Sequence, residues 1–363
     1  MNCLFRVDSS IQIGTGHVMR CLTLADELSR RGAKVSFVCR TFHSNICVII
    51  ENKGYFVHRL TWVSPTEKLD ENMNHKHADW LSCRWKDDAE LTATIIAKIG
   101  ETIDWLIVDH YSLDIDWEKH VRPFVNKIMV IDDLANRKHD CDILLDQNLY
   151  KNLNSRYNHL VPESCIKLLG LDFCLLRPEF LNKRPELVEK EGKIRTILVC
   201  FGGTDPTNET QKVLEAINQS NRTNILIYVI IGINNPNAQK IKKICSNIPN
   251  TKLFIQVSKM ADMFARADLA ICSSGTITWE RLCLGLPAVT IAVAENQVEI
   301  AKTTSELGID LYLGISENVQ VKHIVEGIEA YSSNPHRLVT SSQRAQTLVK
   351  GDGVQKVASF IKN

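Results

Sequence analysis

Short apolar runs rich in valine and isoleucine alternate with longer amphipathic stretches along the chain, and this alternation starts twice. The first series places strand candidates at 2–7, 34–39, 55–60, 104–108, 127–131, 142–145 and 166–169. The second places them at 194–200, 225–231, 251–255, 268–272, 287–291 and 309–313. Helical patterns separate them, as at 17–31, 207–219, 236–246, 276–284 and 296–306. Continuous apolar strands between helices imply parallel sheets covered on both faces. A charged stretch at 181–193, with Pro178 just before it and Pro185 and Gly192 inside it, reads as a linker. The expected architecture is α/β: two doubly wound, Rossmann-like domains facing a cleft, at 1–180 and 194–363. The last helix is expected to brace the first domain. The 363 residues exceed the ~250–300 at which a single core stops growing. Ligands of such sheets lie beyond the carboxyl ends of the strands, so those ends carry the functional reading.

Composition excludes several classes of partner. Lys and Arg total 43 against 42 Asp and Glu, a formal charge of +1, which gives no footprint for nucleic acid or an anionic membrane surface. The first residues carry no basic region followed by a long apolar run, and no apolar stretch approaches the ~18 residues that span a bilayer. A cytoplasmic protein is expected. None of the 12 cysteines forms a Cys-x-x-Cys pair, and several lie in apolar runs, as Cys200 does, so free thiols are expected. The irregular segment 61–86 holds His75, His77, Trp80, Cys83 and Trp85. It lacks a zinc-ligand spacing and reads as an ordered insertion with packed tryptophans. No metal and no cofactor are expected.

The first strand ends at Asp8, and the loop Ile13-Gly14-Thr15-Gly16-His17 runs into a helix. Glycines let the backbone approach a ligand closely, and a helix start favours anions. His17 at that helix start suits a general base, because the positive end of the helix favours the neutral imidazole. The plainer reading is a tight turn with a capping histidine. Three more apolar runs end in polar residues: Asp109-His110-Tyr111, Asp132-Asp133 and Asp146-Gln147-Asn148. Some of these residues cap turns. All of them together, with Asp8, point to a polar ligand at one sheet rim.

In the second series, Phe201 leads into Gly202-Gly203-Thr204-Asp205, and Cys272 into Ser273-Ser274-Gly275-Thr276 before a helix. Small residues with hydroxyls and free N–H groups at a helix start make a phosphate cradle. Glu280, one turn on, is within reach of a ribose. Asn296 and Gln297 begin the next helix after a strand end. Ordinary capping by Ser273 and Thr276 is the alternative.

These segments resemble the UDP-sugar hydrolases of pseudaminic acid biosynthesis, the PseG family. The resemblance runs through Phe5-Arg-Val-Asp-Ser-Ser, Gln12-Ile-Gly-Thr-Gly-His-Val-Met-Arg, Val108-Asp-His-Tyr, Ile131-Asp-Asp-Leu-Ala, Leu176-Arg-Pro-Glu-Phe, Phe201-Gly-Gly-Thr-Asp-Pro, Ser274-Gly-Thr-Ile-Thr-Trp-Glu-Arg and Ala294-Glu-Asn-Gln. It implies a glycosyltransferase type B (GT-B) fold, as in MurG, and a monomer. It also implies hydrolysis of UDP-2,4-diacetamido-2,4,6-trideoxy-β-L-altropyranose to the free sugar and UDP, as in flagellin glycosylation or cell-surface polysaccharide pathways. His17 stands at the family's base. Gly14, Thr15, Gly16, Asp109, His110, Tyr111, Asn148, Arg177, Asn296 and Gln297 would contact the sugar or phosphates, with Gly202, Gly203, Thr204, Ser274, Gly275, Thr276 and Glu280 around UDP. Asp8 is expected to orient the imidazole or stabilise its cation, with Asp109 or His110 as an alternative base. Two rivals share the fold: a transferase that uses a hydroxyl acceptor, and a nucleotide-sugar-binding module without catalysis.

Overall fold

The structure, a computed structural model, describes residues 1–61, 78–187, 189–220, 224–257 and 259–362. It divides into two units. The first comprises Met1–Asn148, Asn152–Leu175 and Asp352–Asn363, and the second Leu149–Lys151 and Leu176–Gly351.

The first unit is a parallel sheet of β1 (Asn2–Val7), β2 (Lys34–Arg40), β3 (Phe56–Leu60), β4 (Ile103–Asp109), β5 (Val125–Ile131), β6 (Ile143–Asp146) and β7 (Ile166–Leu169). Their order is β3-β2-β1-β4-β5-β6-β7. Its helices are α1 (Gly16–Arg30), α2 (Cys47–Asn52), α3 (Trp85–Ile99) and α4 (Ile115–Val121), with a helix from the chain's end, Gly353–Phe360. Successive side chains on a strand point to opposite faces, and here each parity meets a different helical layer. Cys3, Phe5, Val7, Trp105 and Ile107 pack with Val18, Leu22 and Ala25 of α1 and with Val354 and Val357. Leu4, Leu106 and Val108 pack with Ala89 and Ile96 of α3 and Trp117 of α4. Each fully buried aliphatic side chain contributes ~1.5–3 kcal/mol.

The second unit contains β8 (Thr196–Cys200), β9 (Leu226–Ile231), β10 (Thr251–Ile255), β11 (Leu269–Cys272), β12 (Ala288–Ala292) and β13 (Leu311–Ile315). Their order is β10-β9-β8-β11-β12-β13, also parallel. Around them lie α5 (Pro178–Lys183), α6 (Glu209–Gln219), α7 (Ala238–Asn247), α8 (Met260–Arg266), α9 (Ile277–Cys283), α10 (Val298–Glu306), α11 (Val321–Ser332) and α12 (Pro335–Leu348); the terminal helix of the first unit is α13. Ile197, Val199, Val229, Ile271 and Val289 of the sheet pack with Val213, Ile241, Ile324 and Leu338.

One boundary differs from the sequence reading. The stretch 181–193 contains the end of α5 and a 3-10 turn at Arg184–Glu186, and it lies within the second unit. Pro178 starts α5 rather than breaking it, since proline suits the first helical position. Arg184 ties the stretch to the Gln346 carbonyl at 2.9 Å. The chain's last residues, from Asp352, belong to the first unit, where the Trp105 indole donates to the Lys362 carbonyl at 2.8 Å.

In both sheets the first and fourth strands of the series lie side by side at the centre. Chain connections leave in opposite directions at that point, which opens a crevice at the carboxyl ends. The loops there are 8–16 and 109–111 in the first unit, and 201–204 and 273–276 in the second. All 12 cysteines are free. No described helix is long and apolar enough to cross a membrane.

Candidate active site

Ser10 and Gly14 close a small loop after β1, with the Gly14 N–H donating to the Ser10 carbonyl at 2.9 Å. Gly14 has φ +78°, the left-handed region that glycine adopts without strain. The loop delivers the chain into α1, where His17, Arg20 and Cys21 share one face by their spacings of three and four. That face looks onto the end of β4. The His17 Nδ1 lies 2.6 Å from Oδ1 of Asp109. The Asp109 carboxylate only accepts, so Nδ1 carries the proton and Nε2 is left as the basic nitrogen. Arg20 Nη2, 3.2 Å from Nδ1, is then a neighbouring charge rather than a donor to that atom.

Asp109 is fully buried. Arg20 holds it in a fork, with Nε to Oδ2 at 2.6 Å and Nη2 to Oδ1 at 2.7 Å, and the Cys21 thiol donates to Oδ2 at 3.4 Å. Burial pushes this carboxyl up, but Arg20 and His17 outweigh burial and hold it well below the usual carboxylate range. The result is a permanently ionised acceptor beneath the imidazole. Arg20 also reaches Oδ2 of Asp133 at 3.2 Å. The Tyr111 hydroxyl donates to Oδ1 of Asp133, and Asn148 Nδ2 to Oδ2 at 3.1 Å. Burial and Asp133 raise the Tyr111 phenol far above its ordinary value, so it stays a donor. The Tyr111 ring stands nearly perpendicular to His17, centroids 4.6 Å apart. Arg20 had no assigned part in the sequence reading, and Asp133 had only a place among the polar strand ends. The signal for Arg20 was its position three residues after His17, on the buried face of an amphipathic helix.

Asp8 does not orient His17. It follows Leu4 and Arg6 in strand parity and so faces α3 and α4, whereas His17 lies on the α1 face. Its carboxylate binds Arg6 at 2.7 and 2.9 Å and accepts from the Arg40 N–H at 2.6 Å. Asp88, in the same fully buried cluster, takes Arg6, Arg40 and the Trp117 indole. His110 follows Asp109 and therefore points the opposite way, with Nε2 3.2 Å from Asp8 and Nδ1 accepting from the Ser112 N–H at 3.1 Å. Burial lowers His110 against the pull of Asp8. This cluster braces the strand ends from behind. At the rim, Asp146 is buried beside Asp133; burial and that charge push it up to about 7 against the pull of Arg156.

The second unit's centre is built differently. Gly202 has φ +85°. A Cβ on Gly232 would come within 2.7 Å of the Gly203 Cα, so the 202–204 loop lies on bare backbone. Thr204 is half-buried. Asp205 does not face a ligand: its oxygens accept from the Glu209 and Thr210 N–H groups, both at 2.9 Å, and start α6. Across from this loop, the fully buried Ser274 and Thr278 hydroxyls have no hydrogen-bond partner among the described residues. Gly275 lies near the Gln297 amide, 3.6 Å from the place of a Cβ, which joins the 274–276 loop to the 295–297 turn. Thr276 and Asn296 are exposed. Glu280 Oε1 takes Arg177 Nε and Nη2, both at 3.0 Å, and Arg177 also meets Glu179 at 2.7 Å. Burial raises the Glu280 carboxyl against the pull of Arg177. The neighbouring Arg281 points inward to Asp310 and the Leu286 carbonyl.

Within the irregular segment, 62–77, including His75 and His77, lies outside the described residues. Cys83 is half-buried and Trp80 and Trp85 are placed. Among the described residues, no group of three or more His, Cys, Asp or Glu side chains is arranged to hold a metal ion.

Residues 196–358 match the model of the glycosyltransferase family 28 C-terminal domain. The chain is 29% identical to the UDP-2,4-diacetamido-2,4,6-trideoxy-beta-L-altropyranose hydrolase of Campylobacter jejuni, over 86% of this chain and 98% of that one. It is 24% identical to the spore coat polysaccharide biosynthesis protein SpsG of Bacillus subtilis, over 98% and 96% of the two chains. The crystal structure of Acinetobacter baumannii MurG superposes with a TM-score of 0.66 at 13% identity, over 99% of each chain. Two Rossmann-like units with these strand orders, matched along their whole length by MurG, give the chain a GT-B fold.

Proposed function

We propose that the protein cleaves a UDP-linked sugar with water, using His17 as the base. The observation that carries this reading is the 2.6 Å contact between His17 Nδ1 and Asp109. It fixes the tautomer and leaves Nε2 to take a proton, an arrangement that pure binding does not need. In this scheme water attacks C1 of the sugar while its proton passes to Nε2. The C1–O bond breaks, and its electron pair leaves with UDP. Asp109 stabilises the imidazolium, and Arg20 keeps Asp109 ionised. Direct attack inverts the anomeric centre. UDP is a good leaving group, so stabilising its charge matters more than protonating it.

The nucleotide is assigned to the second unit. Gly202, Gly203 and Thr204, with Ser274, Gly275 and Thr276, offer backbone N–H groups and unspent hydroxyls to the diphosphate. Glu280 accepts from the ribose hydroxyls, and Arg177 leaves it to meet a phosphate or an acetamido carbonyl. Asn296 and Gln297 complete the sugar or phosphate contacts. The similarity to the Campylobacter hydrolase, nearly end to end, supports UDP-2,4-diacetamido-2,4,6-trideoxy-β-L-altropyranose as the substrate.

A second reading rests on its own observations. The glycosyltransferase family 28 match and the MurG-like fold favour a transferase, in which His17 would activate an acceptor hydroxyl instead of water. Acceptor-free incubation with that UDP-sugar in EDTA separates the two. UDP released at a steady rate supports hydrolysis. UDP released only after a hydroxyl acceptor is added supports transfer.

A further inference from the structure

The 3-10 turn Ala78–Leu81 brings Trp80 to the base. Leu81 anchors the turn: it is fully buried among Leu60, Ala89, Leu113 and Trp117. Trp80 is turned to the other side. Its indole stacks on the Tyr111 ring, centroids 5.5 Å apart at 28°, and stands nearly perpendicular to the His17 ring at 6.5 Å. The imidazole thus points its edge at two near-parallel aromatic rings on one side of it. Tyr111 is 4% exposed, while Trp80 is half-buried, so the solvent-facing part of this wall is indole.

A large aromatic ring left partly in water beside a buried charged dyad gives up apolar burial that a ligand can restore. Sugars carry the complement: ring C–H groups and, on a 6-deoxy or acetamido sugar, methyl groups. We propose that Trp80 is a specificity-determining residue of the sugar site, presenting its indole to the C–H and methyl groups of the UDP-linked sugar beside His17. This rests on the reading that the protein binds a UDP-sugar, and it adds a residue that acts on the sugar and not on the nucleotide. The wall also restricts His17 to its present ring orientation, because Tyr111 and Trp80 occupy the space to one side of it.

The test uses the full chain and two ligands: UDP, and the UDP-sugar analogue with CH2 in place of the glycosidic oxygen, which cannot be cleaved. Calorimetry gives the affinity the sugar adds beyond UDP. Trp80→Phe should keep most of that increment. Trp80→Leu, which keeps apolar bulk without an aromatic face, should lose about 3- to 10-fold of it, and UDP affinity should stay within about twofold in both. An unchanged sugar increment in Trp80→Leu overturns the inference, as does an equal loss for UDP and analogue. Should the leucine variant fail to fold, wild type carrying fluorinated tryptophan gives the answer. The resonance assigned through Trp80→Phe shifts with the analogue and not with UDP if the inference holds; no shift, or the same shift with both, overturns it. Cleavage is read separately. A chain that binds the analogue through Trp80 yet releases no UDP keeps this inference and defeats the hydrolase reading.

Discussion

The two units share a strand order but fill its central crevice with opposite materials. In the first, the crevice holds buried charge: His17, Asp109, Arg20 and Asp133 in one connected chain, with Asp8, Arg6, Asp88 and Arg40 behind the sheet. In the second, the corresponding loops hold glycines and small hydroxyls, and Ser274 and Thr278 keep hydroxyls that no group among the described residues uses. Buried charge is costly unless it is fully paired, and once paired it is rigid. Rigidity is what a base of fixed tautomer requires. Unspent donors on bare backbone are what an incoming diphosphate requires. On the proposed reading, one topology carries two chemistries, separated by the residues at its strand ends.

Replacing Asp109 attacks the first crevice most directly. Asp109→Asn replaces a charged, acceptor-only carboxylate with a neutral amide that also carries N–H donors, so the Nδ1 proton is no longer fixed, and kcat should fall about 10²–10⁴-fold with UDP affinity unchanged. A similar loss of UDP binding would mean that the two crevices do not divide the work. Asp8→Asn makes the contrast sharper. It breaks a buried pair, so unfolding free energy should drop by about 3–5 kcal/mol while the folded enzyme keeps its kcat. Denaturant titration beside steady-state kinetics checks both.

Asp146 supplies a pH signature confined to the first unit. An acid raised on folding from its ordinary 3.8 to about 7 holds its proton more tightly in the folded chain. Stability contributed by that group is therefore full at low pH and is lost as pH climbs through about 7, by at most ~4 kcal/mol. Asp146→Asn should flatten the fall in midpoint between about pH 4 and pH 7. A variant whose profile parallels wild type would remove Asp146 from the account. The smallest effect belongs to the second unit. Glu280→Gln should raise KM for the UDP-sugar about tenfold and leave kcat alone, because the ribose contact proposed for it would be made equally in ground and transition states. A kcat loss instead would move Glu280 into the chemistry.

Much of this was legible in the residues. The strand series and its restart follow from the apolar runs, and polar strand ends marked both crevices. The partner of His17 was misassigned to Asp8, yet parity contained the answer. Val7 and Asp109 are register partners, and the apolar residues of their parity, Phe5 and Ile107, meet α1. Asp8 shares the parity of Leu4, which meets the opposite layer. A carboxylate at the end of β4 on the α1 face was therefore the available partner. The role proposed for Trp80 was not legible, because a 3-10 turn has no apolar period and its approach to Tyr111 depends on tertiary packing. The linker at 181–193 failed for a related reason: prolines mark helix starts as well as breaks.

The most direct test follows the oxygen. Single-turnover release of UDP from the diacetamido UDP-sugar would be measured in H2(18)O without acceptor, for wild type and for His17→Ala. The account predicts unlabelled UDP from wild type, since water attacks C1 and UDP keeps the bridging oxygen, and a rate at least about 10²-fold lower for the variant. Label in the UDP phosphate would place the attack at phosphorus, and equal rates would leave His17 without a part in the reaction; either result contradicts it.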